Sequence, residues 1–437
     1  MVGKVTAVAE HLSSPRDGVP ALSDTPESVQ TVSESLSRGR GPVAVDTERA
    51  SGFRFDDRAF LVQLRRDGAG THLVDPAAVP QAGEILAPVM DTTPWILHAA
   101  HSDLPALTSL GWRTPELHDT QIAGRLLGYG QIGLAGMLEE FLGVTVAKDK
   151  GREDWSARPI PDAMLSYAAL DVELLIELRD VTLSRLRDLG RGDWYRQECD
   201  HVSRGWSFPV PEPDWRKLRG IGHVRDARGL EIVRRLIDAR TSVARDRDVP
   251  PEHVLRGSSI LDLAQQPGRA DRQLSREVSG ASRLARTSRG SGFARELTAV
   301  LSSALRQAIS ADPASLPDRP TSSGGRPDHR TWERDHPLAY RLSTDFRDAL
   351  SVVSDCTGIR TEDLLTVRAL RSVAWDVSCL LVPAGATGPS LSGNAPNDPV
   401  SELENMLGQA LEDQQCRRWQ VDLLIDAFAP VVADQVN

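Results

Sequence analysis

The fold is decided by the stretch Pro42-Val-Ala-Val-Asp-Thr-Glu48, an apolar run that ends in two carboxylates. The run after Pro42 predicts a buried strand, and Asp46 and Glu48 follow at its end. Because strand side chains alternate between faces, residues two apart project the same way. Two carboxylates held this closely repel each other unless a cation lies between them. The stretch therefore predicts a strand that ends in a candidate cation site.

Short apolar runs downstream predict further strands. They lie at residues 59–64, 72–75 and 95–99. Helical periodicity follows at residues 102–109, 119–142 and 161–190. Strands mixed with helices at this spacing predict an α/β or α+β sheet domain.

After about residue 210 the strand signals fade and helical periodicity remains. It occurs in segments 228–246, 258–265, 293–310, 339–356, 361–380 and 400–429. A stretch rich in Pro, Gly and Ser separates two helical groups and predicts a linker. The predicted parts are an N-terminal lead-in (1–40), a sheet domain (41–205), a helical domain (213–300), a linker (312–332) and a C-terminal helical domain (333–437).

Length and composition exclude several classes of protein. A chain of 437 residues allows about three domains. Four cysteines without a CxxC pair exclude a zinc ribbon and argue against a disulfide scaffold. No apolar run is long enough for a membrane span, and no secretory leader is visible. We therefore expect a soluble cytoplasmic protein, with a monomer favoured.

Three more residues extend the candidate cation site. Asp103 follows the strand at 95–99, and Tyr167 and Asp171 are four apart on one face of a predicted helix. Hard divalent cations such as Mg²⁺ prefer oxygen ligands, and two such ions can promote phosphodiester displacement. A tyrosine beside them could orient the attacking water. Taken singly, Asp103 also suits a helix N-cap and Tyr167 a core position.

In their order along the chain, these segments resemble the ribonuclease D family of DEDD 3′→5′ exonucleases. The matching segments are Val43–Glu48, Phe60–Leu64, His98–Leu104, Asp119–Ala123, Asp154–Pro159 and Tyr167–Val172. The resemblance implies a ribonuclease H-like α/β fold, a mixed sheet flanked by helices. It implies that Asp46, Glu48, Asp103 and Asp171 bind two divalent metal ions, Mg²⁺ or Mn²⁺. Tyr167 would complete the catalytic set, and Ser166 before it places the chain in the tyrosine subclass.

The resemblance also implies an activity and a substrate. The family's reaction is 3′→5′ exoribonuclease hydrolysis that releases nucleoside 5′-monophosphates and trims the 3′ ends of tRNA or other structured RNA precursors. We expect substrate contacts from Thr47, Gln63, Lys150 and Arg158. Two alternatives remain open: a non-catalytic nucleic-acid-binding adaptor, and an exonuclease acting on single-stranded DNA.

The helical part resembles the HRDC domain shared by RecQ-type helicases and ribonuclease D. Residues 213–295 carry this resemblance, and the C-terminal helical domain is interpreted as a second, diverged copy. Residues 216–247 hold ten Arg or Lys against four acids, although the whole chain has a net charge of −10. This basic stripe either binds RNA phosphates or is a solvated helix face with internal ion pairs.

Overall fold

The apolar run that ends in Asp46 lies in the long central strand of a mixed sheet. The computed structural model describes residues 10–146, 153–205, 214–270, 273–274, 276, 291–318, 326–381 and 399–436. Its strands, in chain order, are β1 (Glu10–Leu12), β2 (Leu22–Ser23), β3 (Arg40–Arg49), β4 (Ala59–Asp67), β5 (Gly70–Val74), β6 (Trp95–Leu97), β7 (Leu117–Asp119) and β8 (Val144–Val146). The main sheet has the order β2-β5-β4-β3-β6-β7, and β1 pairs separately with β8. β3 is antiparallel to β4 and parallel to β6, so the predicted mixed sheet is confirmed.

Helices cover both faces of this sheet. They are α1 (Pro26–Arg38), α2 (Ala82–Met90), α3 (Leu104–Ser109), α4 (Thr120–Leu126), α5 (Leu134–Leu142), α6 (Asp162–Glu173), α7 (Leu175–Asp188) and α8 (Gly192–Arg204). Val43 and Val45 of β3 pack in the core that includes α1 and α2. Ala44 points to the opposite face, into the core formed by α5 and α7. Asp46 and Glu48 share the face of Ala44, which places them on the side of the sheet that α6 also covers.

The predicted lead-in belongs to the sheet domain rather than preceding it. Strand β2 forms hydrogen bonds with β5, and Val29 and Leu36 of α1 are fully buried in the core. These elements were not predicted, because the Ser-rich sequence of α1 has only a narrow stripe of apolar residues. Thr25 and Ser28 form a capping box that starts α1.

The rest of the described chain is helical, as predicted. The helices are α9 (Ala227–Asp246), α10 (Pro251–Val254), α11 (Gly257–Gln265), α12 (Ser291–Ile309), α13 (Trp332–Asp335), α14 (Pro337–Thr357), α15 (Thr361–Leu364), α16 (Val367–Leu381), α17 (Pro399–Glu412) and α18 (Arg418–Val436). α12 runs past the predicted domain end at residue 300. Trp332, predicted to lie in the linker, is 2% exposed and contacts Trp375 of α16. The C-terminal helical domain thus begins before residue 333, and residues 319–325 of the predicted linker lie outside the described residues.

The two helical groups repeat the same succession of elements. α9, α10 and α11 begin at residues 227, 251 and 257, and α14, α15 and α16 begin at 337, 361 and 367, an equal offset for all three. The residues that directly follow α10 and α15, Leu255 and Leu365, have nearly the same extended backbone angles. This correspondence supports the interpretation of the C-terminal helical domain as a second, diverged copy.

Both helical domains contact the sheet domain, but in different ways. The first, α9–α12, has its own apolar core. It meets the β3–β4 loop through Phe55, which packs against this core, and through Asp248, whose Oδ2 accepts a hydrogen bond from Arg58 Nη2 at 2.6 Å. Arg54 of the same loop also reaches Asp248, at 3.3 Å. This contact joins the first helical domain directly to the loop that follows Glu48.

The C-terminal helical domain shares an apolar core with the sheet domain. The core is continuous from α1 and α2 to α14 and α18, and Trp194 stacks on Trp419 with ring centroids 4.8 Å apart. Arg191 donates to the carbonyl oxygens of Leu126 and Thr357, both at 2.6 Å, and so joins the ends of α4 and α14. At this junction the C-terminal helical domain lies so close to Gly128 that a Cβ atom would not fit there. Every helix in the described ranges is too short or too polar to span a bilayer.

Candidate active site

The predicted catalytic residues come together from three elements. Asp46 and Glu48 lie near the end of β3, Asp103 follows the turn after β6, and Tyr167 and Asp171 lie on α6. Ligand oxygens of Asp46, Glu48 and Asp171 all lie within 4.8 Å of one another. Asp103 is not part of this 4.8 Å set, but its charge contributes to the raised pKa of Asp46. We call Asp46, Glu48, Asp103 and Asp171 the ligand carboxylates.

Asp103 is held by hydrogen bonds from neighbouring side chains. It is only 3% exposed. The Thr47 hydroxyl donates to Asp103 Oδ1 at 2.6 Å. The Ser102 hydroxyl lies 2.9 Å from Oδ2 and 2.7 Å from the carbonyl oxygen of Ala99, and it donates its single hydrogen to one of them. Arg49 donates to the carbonyl oxygen of Ser102 and so ties β3 to the same turn. Oδ1 of Asp103 is therefore fixed in direction before any ligand binds.

The electrostatics of the site favour a bound cation. Burial raises the pKa of Asp46 well above its usual value, and the charges of Asp103, Asp171 and Glu48 raise it further. Burial also raises the pKa of Asp103, although the hydrogen bond from Thr47 opposes this. An all-oxygen set of crowded, partly buried carboxylates suits hard divalent cations such as Mg²⁺ or Mn²⁺, whose charge would remove the repulsion. The residues present thus fit the predicted metal ions.

A second buried carboxylate anchors the turn that carries Asp103. Asp119, 2% exposed, accepts hydrogen bonds from four backbone N–H groups. Two come from Gln121 and Ile122 in the first turn of α4, and two from Ala99 and Ala100 ahead of Asp103. Ala99 has a φ of +60°, a left-handed conformation that costs a non-glycine residue about 1 kcal/mol. Asp119 stabilises this strained turn.

Sequence reasoning noticed Asp119 as part of a matching segment but gave it no role. An aspartate directly before a predicted helix indicates an N-cap, and the structure confirms that cap. Its second pair of bonds, to Ala99 and Ala100, crosses from β7 to the turn after β6. Because that contact depends on the pairing of the two strands, no local pattern reveals it.

Three of the four residues predicted to bind substrate, namely Thr47, Gln63 and Arg158, are held within the protein in the structure. The hydroxyl of Thr47 binds Asp103, so Thr47 positions a ligand carboxylate. Gln63 is 0% exposed and pairs with Asp46 across the β3–β4 ladder, where a substrate in solvent does not reach it. Lys150 lies outside the described residues.

Arg158 has a structural role instead of the predicted contact with phosphate. Its Nε and Nη2 donate to the two carboxylate oxygens of Asp75, at 2.6 and 2.8 Å. The remaining donors reach the carbonyl oxygens of Trp155, Ala157 and Phe60. Asp75 is 1% exposed, so Arg158 neutralises a buried charge. Trp155 itself is completely buried.

Much of the basic stripe on α9 is used within the protein. Arg234 and Arg235 both form ion pairs with Glu231, which is 1% exposed. Arg228 donates to carbonyl oxygens at the end of α12, and Arg240 pairs with Glu252. The interpretation as a helix face with internal ion pairs fits these residues better than phosphate binding.

Comparison with known proteins finds similar nucleases over the part of the chain that carries the ligand carboxylates. Residues 20–186 match the family described as 3′-5′ exonuclease, and residues 325–388 match the family described as 3′ to 5′ exonuclease C-terminal domain. Ribonuclease D of Sphingobium indicum is 32% identical over 241 residues, which is 53% of this chain. Ribonuclease D of Escherichia coli is 30% identical over 234 residues, 52% of this chain. In both cases the match spans 61% of the relative's length.

Solved structures extend the similarity to the whole chain. A crystal structure of a protein from Bifidobacterium adolescentis is 30% identical, covers 97% of this chain and all of its own, and has a TM-score of 0.79. The crystal structure of Escherichia coli RNase D is 23% identical, covers 89% of this chain and 99% of its own, and has a TM-score of 0.62. The second likeness shows the shared fold alone.

Proposed function

The chain belongs to the ribonuclease D family, and from that premise we propose that it is a metal-dependent 3′→5′ exoribonuclease. The observation that carries the proposal is the gathering of Asp46, Glu48 and Asp171 within ligand distance, with Asp103 and Tyr167 from neighbouring elements. A non-catalytic adaptor would have no need to keep four repelling carboxylates together. The products would be nucleoside 5′-monophosphates.

The family uses two divalent metal ions, and the ligand carboxylates are the residues that would hold them here. When bound, Mg²⁺ or Mn²⁺ supplies positive charge that stabilises the attacking and leaving oxygens of the phosphodiester. The protein's own part is to fix the ligands. Thr47 orients Asp103, while the rigid ladder between β3 and β4 sets Asp46 and Glu48.

Tyr167 supplies the proton chemistry in this proposal. It lies one helical turn before Asp171 on α6 and is half-buried against the core beneath that helix. Its position on the same helix face as Asp171 directs the phenol toward the ligand carboxylates. A phenol held there can orient the attacking water and accept its hydrogen bond while the phosphodiester is cleaved.

The proposed substrates are single-stranded 3′ ends of RNA, including tRNA precursors. Ribonuclease D of Escherichia coli, 30% identical over 234 residues, is an exoribonuclease involved in structured RNA processing, and this sequence similarity supports the same substrate class for the present chain. Because such precursors occur in the bacterial cytoplasm, we place the protein's action there.

The proposal is tested with a 5′-labelled single-stranded RNA, Mg²⁺ or Mn²⁺, and the purified full-length protein. We expect a ladder that shortens from the 3′ end, and its loss in EDTA or with Asp46→Asn. Asp67→Asn, which changes an exposed carboxylate at the far end of β4, is the matched control and keeps the ladder. Undegraded RNA with the wild-type protein would refute the proposal. Degradation of a matched DNA but not of RNA would change the substrate to single-stranded DNA.

A further inference from the structure

The C-terminal helical domain presents arginines that are not used for internal ion pairs. Arg368 and Arg371 are exposed on the first turns of α16, and neither forms an ion pair or hydrogen bond with any residue in the described ranges. Arg234 and Arg235 of α9, by contrast, are both bound to Glu231. Unpaired, exposed guanidinium groups are the groups that can bind phosphate bidentately.

These arginines line a groove of about 830 Å³. We call it the basic groove and define it by Arg326, His329, Trp332, Val367, Arg368 and Arg371. Buried Trp332 forms its rigid floor, with its indole N–H donating to the carbonyl oxygen of Pro327 at 3.1 Å. Arg326 is fixed by Asp376, at 2.7 Å. The groove therefore has a preformed shape with positive charge on its walls.

Asp328 and Asp376 offset part of the positive charge of the basic groove, but with Arg326, Arg368 and Arg371 its charge remains net positive. Asp328, an acid on its lining, caps the turn 329–331 by accepting the N–H of Arg330 at 3.0 Å. The pKa of His329 is lowered by burial and by the charges of Arg371 and Arg347, so the imidazole is neutral near pH 7. Its Nε2 lies 3.4 Å from the Ser343 hydroxyl.

The basic groove adjoins a second groove, which lies beside the turn that carries Asp103. Thr366 lines a groove of about 380 Å³ between the sheet domain and the C-terminal helical domain, and the next residue, Val367, lines the basic groove. The opposite wall of the smaller groove includes His101, two residues before Asp103. Glu198 and Asp363 in its lining are paired with Arg417 and Arg360. Two further acids line the smaller groove: Glu362 lies 3.4 Å from the same Arg360, and Asp119 accepts hydrogen bonds from backbone N–H groups. The smaller groove therefore retains negative charge, and the basic groove is the more favourable of the two surfaces for a polyanion.

The repeat of the helical domains shows that this surface is specific to the second copy. Arg368 and Arg371 follow the start of α16 by one and four residues. The equivalent residues after the start of α11 are Ser258 and Leu261. The two copies therefore agree in the order of their helices and differ in charge where the basic groove lies.

We propose that the basic groove binds the sugar-phosphate backbone of the RNA substrate, upstream of the 3′ end that lies at the ligand carboxylates. This inference rests on the proposed function, since it identifies where the same substrate is held. Arg368 and Arg371 each contact a phosphate, and Arg326 with His329 completes the lining. The arginines of α9 contribute less, because most of them are already paired.

The test measures RNA affinity in the full-length chain made inactive by Asp46→Asn. Fluorescence anisotropy gives Kd for a long single-stranded RNA and for a trinucleotide, over a range of salt concentrations. The variants are Arg368→Ala/Arg371→Ala and the charge-retaining pair Arg368→Lys/Arg371→Lys. Arg334→Ala/Arg418→Ala is the matched control, since it removes two exposed arginines of the same domain outside the groove.

We expect the alanine pair to raise Kd for the long RNA by about tenfold or more, and the slope of log Kd against log salt to fall by about 1.4. The lysine pair should give a smaller loss, because lysine cannot bind phosphate bidentately. The trinucleotide and the control pair should show no change. An unchanged Kd and salt slope for the alanine pair, or an equal loss in the control pair, would overturn the inference. Because binding is read without turnover, failure of the groove is distinct from failure of the proposed nuclease activity.

Discussion

Replacing Asp119 with alanine should damage both the stability of the fold and the position of Asp103. The loss of the α4 cap costs about 1–2 kcal/mol. The bonds from Ala99 and Ala100 to a charged acceptor, 3.1 and 2.8 Å long, are worth about 1.5 kcal/mol each. Together these give a fall of about 4–5 kcal/mol in the free energy of unfolding. The strain at Ala99 then has no compensation, and the turn relaxes.

Activity should fall as well, because the N–H of Asp103 is hydrogen-bonded to the carbonyl oxygen of Ala100 at 3.1 Å. When Ala100 is no longer held by Asp119, Asp103 moves with it. A displacement of about 1 Å at a catalytic group can cost about 100-fold in rate. We therefore expect kcat of the folded Asp119→Ala protein to fall by this order.

Two further variants test the anchoring role of Asp119. Asp119→Asn retains Oδ1, which accepts from Ala99, Gln121 and Ile122, and loses only the bond from Ala100 to Oδ2. Its expected cost is about 1.5–2 kcal/mol.

The matched control is Asp226→Ala, which removes the N-cap of α9 and should cost about 1 kcal/mol without changing kcat. Urea unfolding and steady-state hydrolysis give the two readouts. An Asp119→Ala protein that unfolds like wild type, or that is less stable yet keeps its kcat, would refute the anchoring role.

Three other predictions follow from the site and the domain contacts. Mn²⁺ should raise Tm, and this rise in Tm should be larger at higher pH. The reason is that the metal-free protein loses stability as the pH rises through the raised pKa of Asp46. Scanning fluorimetry that shows the same rise in Tm at every pH would contradict this. Arg158→Ala should cost about 3 kcal/mol by leaving buried Asp75 unpaired and should not change Kd for RNA; weaker binding at unchanged stability would restore Arg158 as a phosphate contact. Gly128→Ala should cost about 2–4 kcal/mol in urea unfolding, since its Cβ would lie 2.3 Å from a carbonyl oxygen of the C-terminal helical domain at a φ of +81°. Gly130→Ala, with open space around it, should be neutral, and equal effects at the two positions would argue against the tight junction.

The parts of the site that could be predicted are those encoded by local spacing. Asp46 and Glu48 are two apart on a strand, and Tyr167 and Asp171 are four apart on a helix, so each pair shares a face whatever the rest of the fold does. The position of Asp103 after an apolar run gave the third element. Most strand and helix segments were predictable for the same reason, because they have a clear period of apolar residues; β2 is too short to show one, α1 has only a narrow apolar stripe, and both were missed.

What could not be predicted depends on partners distant in sequence. Nothing near Arg158 indicates that its partner is Asp75, so its charge suggested a phosphate contact. The spacing of Arg234 and Arg235 from Glu231 predicts that they can pair on one helix face. The sequence does not show that the Glu231 carboxylate is buried. Burial decides the outcome, because a buried glutamate holds its arginines more firmly than an exposed one.

The continuous core of the sheet domain and the C-terminal helical domain changes how the chain is best divided. In sequence, α9–α12 lie between the two, but their apolar core is separate. The sheet domain and the C-terminal helical domain therefore form one cooperative folding unit, although they are separated in sequence. The helices α9–α12 form a second unit inserted between them. Excision of the middle domain would expose Phe55 and the polar contacts of Asp248, whereas truncation at the C-terminus would uncover Trp194 and the larger apolar surface around it. The end of the chain is thus more integral to the sheet domain than its middle.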